Sequence, residues 1–79
     1  MNNNNAIQNK DELEFAVFCI ENVAIRLNAA PEAVYNALTE KSDILNRYIV
    51  ANYDVLHTQG KDYIINDILE VMKNEGVSV

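Results

Sequence analysis

The chain is 79 residues long, 49% apolar and acidic, with a formal net charge of −6 and one cysteine. That length suits one small hydrophobic core, and a single cysteine excludes an intramolecular disulfide, which points to a reducing compartment. The basic residues Lys10, Arg26, Lys41, Arg47, Lys61 and Lys73 are scattered singly. This argues against a nucleic-acid partner, because phosphate-backbone affinity comes from clustered cations that displace counterions.

Residues 1–8, MNNNNAIQ, carry an asparagine run without periodicity and read as a disordered tail ahead of one helical domain over residues 9–79. The start lacks a basic stretch followed by an apolar core, and no uncharged run approaches a membrane span, so a cytoplasmic protein without membrane contact is expected. Beyond the tail there are one proline, two glycines and no alternating apolar–polar segment. The expected fold class is all-α, a single compact bundle of about four short helices.

The first helix is predicted over Lys10–Leu27, capped by Asn9 with Glu12 three residues on, and with Asp11 and Glu12 at the positive end of its dipole. Leu13, Ala16, Val17, Ile20, Val23, Ala24 and Leu27 form the expected core stripe, at three-and-four spacing. Phe15, Phe18, Cys19 and Ile25 lie outside it. Cys19, within FAVFCI, reads as a buried small hydrophobe. A helix this apolar around its circumference is either central to the fold or docked on a partner. Phe15, Phe18 and Ile25 are therefore candidate partner-binding residues, in a homodimer or against a different protein, unless the last helix covers them.

The second helix is predicted from Pro31 to about Glu40, with Ala33, Val34, Ala37 and Leu38 facing inward. Residues 21–38 have helix-turn-helix spacing, with Ala24 small at the crossing and Asn28 suited to a left-handed turn. The alternative function, a DNA-binding transcriptional regulator, would present Glu32, Tyr35, Asn36, Thr39 and Glu40 to the major groove. Two carboxylates and no arginine on that face suit a polyanion poorly.

Ser42 is expected to cap a third helix with Asp43 at its first position. Ile44, Leu45, Tyr48, Ile49, Tyr53 and Leu56 hold helical spacing to near Leu56 or His57, with VANYDV as the place for a bend. The last helix is predicted over Lys61–Asn74 after Gly60. Ile64, Ile65, Ile68, Leu69 and Met72 should face inward, and Tyr63, Asp67, Glu70 and Asn74 outward. Gly76 is placed to adopt the left-handed conformation that ends a helix, letting Val77 fold back on Met72.

The segment NYDVLHTQGKDY, residues 52–63, holds the chain's single histidine, His57, three residues after Asp54. A metal site needs at least three converging ligands, and acid–base catalysis needs an enclosing pocket; neither is implied here. No catalytic residue, metal or cofactor is expected, and the chain reads as a non-enzymatic protein-interaction module. Tyr53 and Tyr63 bracket the turn, and with His57 they form the candidate recognition patch, since aromatic residues with polar tips are enriched at interfaces.

Three segments carry a resemblance: Glu14–Asn22 (EFAVFCIEN), Val34–Leu45 (VYNALTEKSDIL) and Tyr48–Ile64, with the Y-x-V-L-H-T-Q-G run as its most distinctive part. The chain resembles a family of short bacterial proteins catalogued as a domain of unknown function. It has Ala51 where many relatives carry proline, which softens the bend expected there. Members of that family are often encoded beside a small protein of ADP-ribosyltransferase type. The resemblance thus implies an antitoxin or accessory partner of such a toxin, and transfers no catalytic residues.

Overall fold

The computed structural model describes residues 7–79. Within them the fold is all-α and no strand forms: α1 spans Lys10–Leu27, α2 Pro31–Thr39, a π-helix Leu45–Val50, α3 Tyr53–Leu56 and α4 Lys61–Asn74. The helix ends follow from side chains near them in sequence. Asn9 is extended and its Oδ1 accepts from the Glu12 N–H at 2.9 Å. The Glu12 carboxylate accepts from the Gln8 N–H at 2.6 Å, closing a capping box one residue upstream of its usual place. Of the tail expected over residues 1–8, residues 1–6 lie outside the described residues. Ile7, by contrast, packs against the core.

Asn28 ends α1 in the left-handed region, at φ 53° and ψ 48°, where a short polar side chain is better tolerated than a branched one. Asn28, Ala29 and Ala30 are the entire connection to α2, so the two helices pack directly on each other. α4 ends in a Schellman motif: Gly76 takes φ 69°, its N–H reaches the Lys73 carbonyl, and the Val77 N–H reaches the Met72 carbonyl at 2.9 Å. Val77 folds back onto the core as its position implied.

The third predicted helix is broken. Ser42 Oγ accepts from the Ile44 N–H at 3.3 Å and donates to the Ala37 carbonyl at 2.8 Å, which ties the start of this segment to α2. The chain then winds as a π-helix, turns through Ala51 and Asn52, and forms the single turn of α3. Asn52 donates from both its backbone N–H and its side-chain amide to the Tyr48 carbonyl, satisfying an acceptor that the break would leave open. The wider winding lets Ile44, Leu45, Ile49 and Val50 all reach the interior.

Every helix contributes to the core, with Cys19, Val23, Val34, Leu38, Ile44, Ile49, Ile65 and Ile68 its most enclosed side chains. One expectation for α1 fails. Leu13, Val17 and Leu27 are exposed, at 51%, 44% and 38%, whereas Phe15 and Cys19 are buried. The helix is turned from its predicted setting, and only Ala16, Val23 and Ala24 belong to both stripes. Nearly every third or fourth position of α1 is apolar, so helical spacing alone permits more than one inward face; the large Phe15 ring and the α2 and α4 contacts select this one. On α4, Asp67 also departs from its predicted outward setting, because its carboxylate accepts from the Tyr48 hydroxyl. Among the described residues no helix is long and apolar enough to cross a membrane.

Candidate functional site

Two surfaces qualify as candidates, and the first is built from rings. Phe15 and Phe18, three apart on α1, lie nearly parallel with centroids 6.2 Å apart. Tyr53, at the start of α3, meets Phe15 edge-on at 5.4 Å and 75°. His57 stacks on Tyr53 at 4.3 Å and 16°. The single turn of α3 produces this last pair, because its four-residue spacing, closed by the His57 N–H bond to the Tyr53 carbonyl, sets one ring above the other. The fold thus gathers Phe15, Phe18, Tyr53 and His57. Ile25 and Tyr63, exposed at 77% and 58%, stand outside the ring stack.

The stack corrects one site expectation. Phe15 is 8% exposed and wedged between Phe18 and Tyr53, so its ring is a core element rather than a face offered to a partner. Phe18 and Tyr53 are half-buried, and only His57 is open to solvent. Burial raises the Tyr53 phenol above its ordinary value, and the carboxylates of Asp11, Asp54, Glu12 and Glu14 push it the same way. Among the described residues His57 has the Tyr53 ring as its partner and no hydrogen bond to Asp54, three residues before it.

The second surface lies between α1 and α2. It is an open groove of about 500 Å³, lined by Val17 and Ile20 of α1, Pro31 and Tyr35 of α2, and the carboxylate-bearing Glu21 and Glu32. Leu13 extends the same ridge one turn earlier. Sequence reasoning assigned Val17 and Ile20 to the core and Tyr35 to a DNA-facing surface, so this site was missed. Its available signal was the excess of apolar positions on α1, more than one core-facing stripe can use.

Four of the six basic side chains are engaged elsewhere. Lys10 faces Glu14 at 3.8 Å, Arg26 reaches Asp62 at 3.5 Å and Asn66 at 2.5 Å, Arg47 pairs with Glu75, and Lys41 donates to the Ser78 carbonyl at 3.1 Å. The outward face of α2 accordingly carries Glu32, Tyr35, Asn36 and Glu40 with no cation.

Nucleophilic chemistry finds little support in Cys19. Its thiol is fully enclosed, and burial pushes its pKa up to about 12, so the thiolate that would react is suppressed near neutrality. Among the described residues no three or more His, Cys, Asp and Glu side chains are grouped to hold a metal ion.

The family model described as "Protein of unknown function (DUF3791)" matches residues 14–75. No curated protein and no solved structure matches the chain.

Proposed function

We propose, from the premise that the chain belongs to the DUF3791 family of proteins of unknown function, that it is a non-enzymatic interaction module that binds and restrains a small protein of ADP-ribosyltransferase type. The observation that carries the reading is the apolar surface left outside a well-filled core. Val17 and Tyr35 stay about half exposed at the groove, and Leu13 on α1 is half exposed as well, although the core buries Leu38, Ile44, Ile49 and Ile68 completely. Exposed apolar side chains gathered at a groove between two helices offer a surface on which another molecule can sit. The groups that would be first candidates for chemistry are otherwise occupied, with His57 stacked on Tyr53 and the Cys19 thiol held protonated by burial.

The nature of the partner rests on the resemblance of the Tyr53–Gly60 segment, Y-x-V-L-H-T-Q-G, to a bacterial family often encoded beside ADP-ribosyltransferase-like proteins. A non-enzymatic antitoxin in the bacterial cytoplasm would occlude its toxin by surface contact, for which a small domain needs no active site. Co-expression with the neighbouring transferase-like protein should yield one stable complex in size-exclusion chromatography and relieve growth arrest. Separate elution together with undiminished toxicity would overturn the proposal.

A further inference from the structure

We infer that the groove between α1 and α2 is the docking site for an amphipathic helix of a partner protein, with apolar side chains at three-and-four spacing flanked by lysine or arginine; this deepens the interaction-module reading and rests on it. The floor and walls are apolar, from Val17, Ile20, Pro31 and Tyr35, and Glu21 and Glu32 stand among them with no basic residue in the lining. A groove between two adjacent helices has the shape that receives a third helix, whose ridge of side chains inserts between the two. On α2 the lining runs from Pro31 to Asn36, roughly 9 Å at the helical rise, so the contact spans roughly one and a half turns.

The charge pattern selects among occupants. A second copy of the chain would meet this face through a two-fold axis, setting Glu21 and Glu32 of one copy against the same carboxylates of the other. With a net charge of −6 and no basic residue in the groove's lining, nothing there offsets that repulsion. Residues 1–6, MNNNNA, supply neither an apolar stripe nor a basic side chain. A basic amphipathic helix answers both the apolar floor and the acidic rim.

The test is an NMR titration of the isotopically labelled full chain with two synthetic helical peptides, one of leucine and lysine, the other of leucine and glutamate in the same pattern. The leucine–lysine peptide should shift amide signals of Leu13, Val17, Ile20, Glu32 and Tyr35, and the leucine–glutamate peptide should not. Val17→Asp should weaken binding roughly tenfold or more, and Glu21→Lys with Glu32→Lys should reverse the preference between peptides. Val55→Asp, at an exposed position of α3, should leave affinity unchanged. Equal binding of both peptides, shifts centred on Phe18, Tyr53 and His57, or a dimer formed through the groove would each overturn the inference. In the co-expression experiment, a complex indifferent to Val17→Asp and Glu32→Lys removes the groove and leaves the interaction module standing. A groove that takes the basic peptide while the transferase-like protein elutes alone removes that partner instead.

Discussion

In one region Phe18, Phe15, Tyr53 and His57 make three successive ring contacts; in the other Tyr35 lines an open groove and, among the described residues, has no ring neighbour. The first surface is richer in the residue types that attract attention in a sequence. Its aromatic side chains are nevertheless satisfied by one another, and the largest contribution, the Phe15 ring, is inside the core. The second surface is chemically plainer, but Val17 and Tyr35 stay about half exposed there. The contrast teaches that recognition potential follows from surface left without contacts after folding, and only indirectly from aromatic content.

The largest expected effect separates the two surfaces by stability. Phe15→Ala removes a buried ring that touches both Phe18 and Tyr53, and should cost about 3–5 kcal/mol in urea denaturation. Tyr35→Ala should stay within about 0.5 kcal/mol. If the two substitutions cost the same, the distinction between an inward stack and an outward groove collapses.

Alkaline titration probes the scaffold beneath both surfaces. The Tyr48 phenol is raised from 10.0 to about 12, first by its hydrogen bond to Asp67 and then by burial, and the Cys19 thiol from 9.0 to about 12 by burial. In both cases the fold favours the protonated form. Their contribution to stability is therefore full below the unfolded values, 9.0 for the thiol and 10.0 for the phenol. It declines as pH rises from there toward 12, because the unfolded chain releases these protons more readily. Urea midpoints should accordingly fall above pH 9.0. Tyr48→Phe should cost about 1 kcal/mol at neutral pH and flatten the part of the decline that sets in near pH 10.0, leaving the part due to Cys19. An unchanged alkaline profile in Tyr48→Phe would show that the Asp67 contact does not hold the phenol's proton.

The smallest effect is the most diagnostic for the ring stack. His57→Ala removes an exposed ring from the Tyr53 face and should cost only about 0.5 kcal/mol. It should also leave the partner complex intact in a pull-down where Val17→Asp disrupts it. Loss of the complex with His57→Ala would move the recognition surface from the groove to the Tyr53–His57 turn.

Much of the helix layout is legible before any tertiary contact is known. The bounds Lys10–Leu27 and Lys61–Asn74, the Asn9 cap, the start at Pro31, the left-handed Asn28 and the Gly76 stop all agree with the sequence-based reading. The candidate site is less legible. Phe18, Tyr53 and His57 are named from the sequence and do come together. Phe15 was expected outside and is inside; Val17 was expected inside and is exposed at the groove, while Ile20, expected inside, packs on the core with one side and lines the groove with the other. The expected bend at VANYDV occurs, but the π-winding ahead of it has no marker in residues 44–50, which are compatible with an ordinary helix.

The sequence by itself determined where helices begin and end, because caps, prolines and left-handed stops act through hydrogen bonds spanning a few neighbouring residues. Tertiary structure decided the rotation of α1, the break between the π-helix and α3, and therefore which apolar atoms stay outside. A helix apolar on most sides has several inward faces of similar local energy. The choice among them is made by packing against α2, the π-helix and α4, whose side chains come from distant parts of the chain. The same packing that drew Phe15 and Cys19 inward left Leu13 exposed and Val17 at the surface groove that Tyr35 also lines.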